Sequence, residues 1–267
     1  MPEALIELQN LCVQRAQTIL HDISWRVLPK ENWVILGANG AGKSTLLNAL
    51  TAYDSFSGGV IKIAGHTYGE YNWPELRKQI GFVSASLELR LRQGESAQDI
   101  ILGGRFASLG LYDEPSAEDE KRALEILEKI GCSPLRFRAW GCLSQGEKRR
   151  IMIGRALMLD PILLILDEPC SGLDPVARER FLRFLQRLSK VEGAPSLVMT
   201  THHLEDIMPN FTHCLALKNG RVLAAGKISE TLNNRLVSEL FDTPMTVQQK
   251  NGRYQLEIPA LDEERNL

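Results

Sequence analysis

The stretch Gly37-Ala38-Asn39-Gly40-Ala41-Gly42-Lys43-Ser44-Thr45 (GANGAGKST) places three glycines, a lysine and two hydroxyls in nine positions directly after an apolar run. A tight turn needs one or two glycines, and lysine is common on surfaces, so a plain loop is the first reading to test. Gly37, Gly42, Lys43 and Ser44 satisfy G-x-x-x-x-G-K-[ST] at every fixed position. At ordinary glycine usage such a match arises by chance about once in a hundred chains of this length. Context adds to it: Trp33-Val34-Ile35-Leu36 reads as a short buried strand, and Ser44 to Leu50 has the apolar spacing of a helix start. In the order strand, loop, helix, bare glycine backbone lets successive N–H groups wrap a phosphate at the positive end of the helix dipole. Lys43 adds a mobile cation for the outer phosphates, and the Ser44 hydroxyl suits Mg²⁺.

The chain has 267 residues, enough for a sizeable interior, with 44% apolar and 24% charged residues. A formal net charge of -2 gives no global attraction to nucleic acid or anionic lipid. No uninterrupted apolar run of membrane-spanning length occurs, and Met1-Pro2-Glu3-Ala4 lacks the basic and apolar regions of a signal peptide, so the expected location is the cytosol. Cys12, Cys132, Cys142, Cys170 and Cys214 are scattered without a C-x-x-C pair, which predicts reduced thiols in place of metal or disulfide chemistry.

Leu5–Leu8, Asp22–Val27 and Gly59–Ala64 read as strands of a small β layer beside the phosphate loop. From Ser96 to Gly131 the pattern is helical, interrupted near Pro115, with apolar residues at helical spacing from Ala117 to Ile130. From Gly146 onward helices and strands alternate, as a mostly parallel sheet covered on both faces requires. The tail predicts one helix over Ser229 to Leu240 and a hairpin around Lys250-Asn251-Gly252-Arg253.

Ile162 to Leu166 is a buried parallel strand by composition, and two carboxylates, Asp167 and Glu168, stand at its end. In a phosphate site the first can hold Mg²⁺ through water and the second can polarise the attacking water as general base. Leu143-Ser144-Gln145-Gly146-Glu147 opens a helix; Ser144 and Glu147 fit a capping box, while a hydroxyl, a glycine and a free helix N-terminus also form an anion receptor. Ser171-Gly172-Leu173-Asp174 follows, and Thr200-Thr201-His202-His203 ends another apolar strand.

In this order the motifs resemble the ATP-binding cassette (ABC) ATPases over nearly the whole chain. Gly37 to Thr45 is similar to the Walker A loop, Leu143 to Glu147 to the LSGGQ-type signature, and Ile162 to Glu168 to the Walker B strand. Ser171 to Asp174 resembles the D-loop and His202 the switch histidine. The resemblance implies an α/β fold: a P-loop NTPase (RecA-like) core with a mostly parallel sheet, an antiparallel β subdomain and an inserted α-helical subdomain over about residues 86–150. The cassette would cover residues 1–228, leaving 229–267 as a C-terminal extension. It implies ATP and Mg²⁺ as cofactors, Lys43, Glu168 and His202 as catalytic residues, and Ser44 with Asp167 on the metal. It also implies a head-to-tail homodimer in which Ser144 and Gly146 contact the γ-phosphate held by the other copy's Lys43 and Ser44, with Asp174 tying the two sites together.

Two departures from the family pattern stand out. The aromatic that stacks on adenine is missing, and Arg15 aligns near it, either stacking through its guanidinium plane or standing exposed in its loop. In Ile80-Gly81-Phe82-Val83-Ser84-Ala85-Ser86, Ala85 aligns where the family places a glutamine that reaches Mg²⁺ and the lytic water, which raises slow hydrolysis as an expectation. Trp33, Gly110-Leu111-Tyr112 and the run Asp167 to Asp174 look most similar to cassettes near the molybdate and iron-siderophore import ATPases. The expectation is the ATPase subunit of a bacterial importer, on the inner membrane face below membrane-spanning subunits, which it meets near Ser84 to Gln98. No direct nucleic-acid binding is expected. The alternative is a soluble ATP-dependent switch acting on a protein or nucleic acid.

Overall fold

The computed structural model describes residues 3–106 and 114–259, so Gly110-Leu111-Tyr112 lies outside the described residues. The elements in chain order begin with β1 (Ile6–Gln14), β2 (Thr18–Val27), β3 (Trp33–Leu36), α1 (Lys43–Leu50), β4 (Gly58–Ile63) and β5 (His66–Thr67). Next come α2 (Trp73–Arg77), β6 (Ile80–Val83), α3 (Ala85–Glu88), α4 (Ala97–Gly103), α5 (Ala117–Lys129), α6 (Gln145–Ala156) and β7 (Leu163–Leu166). The chain continues with α7 (Pro175–Leu188), β8 (Ser196–Thr201), β9 (His213–Lys218), β10 (Arg221–Lys227), α8 (Ile228–Thr231), α9 (Asn234–Phe241), β11 (Thr246–Lys250) and β12 (Arg253–Glu257). They divide into two compact units, one of the described residues through Gly65 and from Thr200 onward, the other His66–Met199.

In the first unit β1 is the middle strand of an antiparallel layer, paired with β2 on one side and β4 on the other. Ile6 and Leu8 face inside, and a register shift between Leu8 and Leu11, where Asn10 has a positive φ of 51°, returns Leu11 and Val13 to the buried face. β3 is buried at all four positions and runs parallel to β9, with Leu36 opposite Ala216. β9 and β10 form an antiparallel hairpin that the alternation of helices and strands did not predict. Its turn, Asn219-Gly220, has both residues at positive φ, 48° and 69°, the conformation that makes Asn-Gly the preferred two-residue hairpin loop. The same tetrapeptide, Lys-Asn-Gly-Arg, recurs at 250–253 and turns β11 into β12, as the sequence indicates there.

The single helix predicted over Ser229 to Leu240 is two. α8 ends at Thr231, and Asn233 starts α9 afresh by accepting a hydrogen bond from Leu236 N–H at 3.0 Å. An asparagine whose side chain competes with the helix ladder favours such a restart.

In the second unit β6, β7 and β8 are parallel, with Val83 opposite Leu166 and Leu166 opposite Met199. β7 (LLIL) is buried at every position, as expected of a parallel strand covered on both faces. α5 begins at a capping box in which Ser116 Oγ accepts from Asp119 N–H and the Asp119 carboxylate accepts from Ser116 N–H, one residue after the Pro115 break. Among the described residues no helix is long and apolar enough to cross a membrane. Cys132, Cys170 and Cys214 are buried, and burial pushes the Cys214 thiol up to about 12.

Candidate functional site

The glycine loop is built by short-range necessity. β3 delivers the chain between its neighbours so tightly that a Cβ on Gly37 would lie 2.3 Å from the Leu217 carbonyl oxygen. Gly40 and Gly42 have φ of 80° and 101°, a region closed to most side chains. The loop is braced from three directions: Gly37 N–H donates to Thr201 O (3.4 Å), Ala41 N–H to Ala38 O (3.2 Å), and Gly220 N–H to Ala41 O (3.0 Å). The unpredicted β9–β10 hairpin is thus one support of the phosphate loop. Lys43 is buried, its Nζ donating to Gly37 O (2.9 Å) and Ala38 O (3.0 Å), while Asn39, Gly40 and Ser44 are exposed. A buried ammonium beside bare backbone N–H groups at a helix start is an anion receptor.

His202 belongs to the same unit, immediately after the Thr201 carbonyl that accepts from Gly37. Its half-buried ring rests on His203 with centroids 4.1 Å apart. Thr201 Oγ1 donates to the buried Asp206 carboxylate (2.5 Å) and accepts from His203 N–H (3.0 Å), which fixes the backbone on both sides of His202. Arg15 lies at the β1–β2 turn, exposed, with Nη2 2.7 Å from Asp54 Oδ2. An ion pair this exposed holds its guanidinium with little gain in stability.

In the second unit, Asp167 directly follows the end of β7, and its N–H donates to Val83 O (2.9 Å). Glu168 follows with φ of 44°, a left-handed conformation that residues bearing a Cβ adopt rarely. Such strain costs about 1–3 kcal/mol and collects at functional positions. The turn is closed by Ser171 N–H donating to Glu168 O at 3.0 Å. Asp174 caps α7, its Oδ1 accepting from Val176 N–H (2.9 Å) and Ala177 N–H (3.0 Å), with Pro175 at the first helical position.

Leu143 is buried and anchors the start of α6, while Ser144 and Gln145 are exposed. The capping box is formed: Ser144 N–H and Oγ–H donate to Glu147 Oε2 (2.7 and 2.8 Å), and Glu147 N–H donates back to Ser144 Oγ (3.4 Å). Partial burial would push the Glu147 carboxyl up, but the Ser144 N–H and hydroxyl, with Arg138 and Arg150 nearby, hold it below its usual range. The cap is therefore present above the unfolded carboxylate range and is lost as pH falls through the lowered folded value. Gly146 makes no demand on its own chain: a Cβ there would lie 3.8 Å from Ala177 Cβ, an ordinary contact. Alanine is the better helix former, so local packing and helix propensity do not call for a glycine there. Ser144, Gly146, Gly172, Asp174 and Val176 line one groove of about 910 Å³, with Val176 exposed to 59%.

Ala85 is exposed at the first turn of α3. Ser84, buried, accepts from Leu87 N–H at 3.4 Å, and its hydroxyl and that of Ser86 are 2.9 Å apart. Ser84 therefore caps the local helix start, with the Ser86 hydroxyl against it. Two charged residues are buried together, Glu88 at the end of α3 and Arg149 of the basic run that follows Glu147 on α6, joined as an ion pair. Their separation of 61 positions left no periodic or motif signal for the pairing.

With this geometry in view, comparison with known proteins is decisive about the family. The ABC transporter family profile matches residues 20–171. The ABC transporter ATP-binding protein YlmA of Bacillus subtilis (strain 168) is 45% identical over 245 residues, 91% of this chain and 93% of YlmA. Among solved structures, cbiO1 from Clostridium perfringens, part of the ABC transporter complex cbiONQ, is similar with a TM-score of 0.74 and 26% identity, covering 85% of this chain and 90% of that one. The dimeric post-hydrolysis state of the ATP-binding cassette MJ0796 bound to ADP and Pi gives a TM-score of 0.71 and 25% identity, with coverage of 84% and 98%. The motifs, the P-loop NTPase fold and these likenesses agree, and the chain belongs to the ABC transporter family as one of its ATP-binding, ATP-hydrolysing cassettes.

Proposed function

We propose that two copies of this chain close head to tail on two ATP molecules and drive a membrane importer. The observation that carries this reading is the start of α6, where Ser144 is exposed in an open groove beside a glycine its own fold does not require. An N-terminal helix end, a hydroxyl and a side chain pared to hydrogen suit a γ-phosphate presented by another molecule. In each site the loop of Gly37 to Thr45 grips the phosphates, Lys43 pairs with their charge, and Glu168 takes a proton from the attacking water. His202 orients the γ-phosphate, and Arg15 faces the base. The dimeric MJ0796 cassette bound to ADP and Pi supports this arrangement by likeness.

Among the described residues no group of three or more His, Cys, Asp and Glu could cage a metal by protein alone. The family resemblance assigns Mg²⁺ to the Ser44 hydroxyl and the Asp167 carboxylate, an oxygen donor set of the kind this ion takes, few in number and supplemented by water. When bound it neutralises charge on the β- and γ-phosphate oxygens.

Hydrolysis removes the anion that joins the two copies, so the dimer loosens, and membrane-spanning subunits seated near Ser84 to Gln98 convert that motion into transport. The cassette then works on the inner membrane face. Recovery of the native-level protein with a multi-span membrane protein after mild solubilisation is the expected result; recovery with a soluble partner alone would favour an ATP-dependent switch and contradict transport. The position of Ala85 adds a second expectation. Ala85→Gln places a carboxamide at an exposed helix start, and steady-state ATP turnover should rise by about 3- to 10-fold, in the range one added hydrogen bond in a transition state supplies. Unchanged turnover would show that this position does not limit hydrolysis.

A further inference from the structure

α3 is a single turn, too short to hold its place by its own hydrogen bonds. What fixes its end is a charge. Glu88 is its last residue, with a side chain only 10% exposed, and it accepts a hydrogen bond from Nη1 of Arg149, whose side chain is 7% exposed. Arg149 lies five residues into the helix that opens at Ser144, and its second terminal nitrogen, Nη2, points to Ser171 O at 3.5 Å. Ser171 in turn donates its N–H to Glu168 O. One guanidinium therefore meets three segments: the short helix after β6, the helix that begins at the signature, and the loop carrying Glu168 and Asp174.

This is an expensive way to hold a core together. Burial raises the Glu88 carboxyl above its usual range despite the opposing charge and hydrogen bond of Arg149 and the charge of Lys148. Arg149 Nε has no partner among the described residues. Apolar side chains of similar volume commonly replace such a pair with no loss of stability, or a gain. A planar fork is instead suited to fixing two acceptors at set distances, which neither an apolar pair nor a lysine reproduces. On the far side Leu89, the residue after Glu88, is 86% exposed, so displacement of α3 from the surface reaches the pair directly.

We infer that Glu88 and Arg149 are positioning residues, which set the loop of Glu168 to Asp174 against the signature end of α6 and carry movements of the α3 segment to both. The inference rests on the two-copy reading, because only there do the signature end and Asp174 serve a partner's nucleotide. The pair supplies a rigid link between β6 and the catalytic loop in a chain that has Ala85 just before it.

Arg149→Lys keeps the charge and the contact to Glu88 but loses the fork to Ser171 O. The expected result is kcat for ATP lower by about 10-fold, with KM within about 2-fold and an unchanged thermal midpoint, since misplacing a catalytic group lowers rate more than affinity. The double variant Glu88→Leu/Arg149→Met should melt no lower than the parent and show at least the same loss of kcat. Parent-like kcat in either folded variant overturns the inference. Failure of both to fold would make the pair a support of the fold alone and overturn it equally. ATP-driven dimerisation in the Glu168→Gln background separates the two readings. If it is absent without any change at 88 or 149, the two-copy reading fails; if it is present while Arg149→Lys turns over at the parent rate, only the positioning role fails.

Discussion

Replacing Glu168 by glutamine should lower steady-state ATP turnover by about 10²- to 10⁴-fold, the usual contribution of a general base, while ATP binding stays within a few-fold of the parent. The substitution is nearly isosteric, and glutamine tolerates the left-handed backbone at this position, φ 44°, about as well as glutamate does. The turn closed by Ser171 N–H and Glu168 O uses main-chain atoms only, so it survives the change. What is lost is the ability to accept a proton from water. A coupled phosphate-release assay beside fluorescent-nucleotide titration separates the two effects. Turnover near the parent's would place the base elsewhere, and loss of binding would mean that Glu168 holds the nucleotide itself.

Gly37→Ala should cost about 100-fold in kcat/KM for ATP, the order of loss that a misplacement near 1 Å produces. The new methyl would meet Leu217 O at 2.3 Å, and that oxygen belongs to a strand held in parallel register with β3. A backbone atom so placed cannot swing aside, so the loop must move. It takes with it the Gly37 carbonyl that receives Lys43 Nζ. Gly40→Ala is the matched comparison, because nothing lies within 4 Å of its Cβ and only the positive φ resists it. That strain is about 1–2 kcal/mol, and the loss should be roughly 10-fold or less. Initial rates of phosphate release at sub-saturating ATP with Mg²⁺ read both. Equal losses at the two positions would show that the contact with Leu217 does not set the loop.

The phosphate loop was legible in the sequence because everything that shapes it is local: four apolar residues, glycines at fixed offsets, a helix start. The same holds for the Ser144–Glu147 cap, three residues apart, and for the β11–β12 turn at Asn251-Gly252. The β9–β10 hairpin carried an identical signal in Lys218-Asn219-Gly220-Arg221, obscured by the expectation that helices and parallel strands would go on alternating. That hairpin proves to brace the loop through Gly220 N–H and Ala41 O. The restart of the helix at Asn233 was readable from capping chemistry, but the apolar spacing on either side ran across it. Glu88 and Arg149 were not readable. Charged residues at such positions are ordinarily solvated, and only the folded packing of α3 on α6 buries them together.

In the proposed function ATP joins two copies of this chain, one contributing the loop of Gly37 to Thr45 and the other the exposed end at Ser144. The most direct measurement is the solution mass of the Glu168→Gln variant by light scattering after size exclusion, with ATP and Mg²⁺ and again with a Ser144→Arg change added. The expected mass is that of two chains with ATP, that of one chain without it, and that of one chain for the Ser144→Arg combination even when ATP is bound. A single-chain mass for Glu168→Gln at saturating ATP, or an ATP-dependent dimer indifferent to Ser144→Arg, would contradict it.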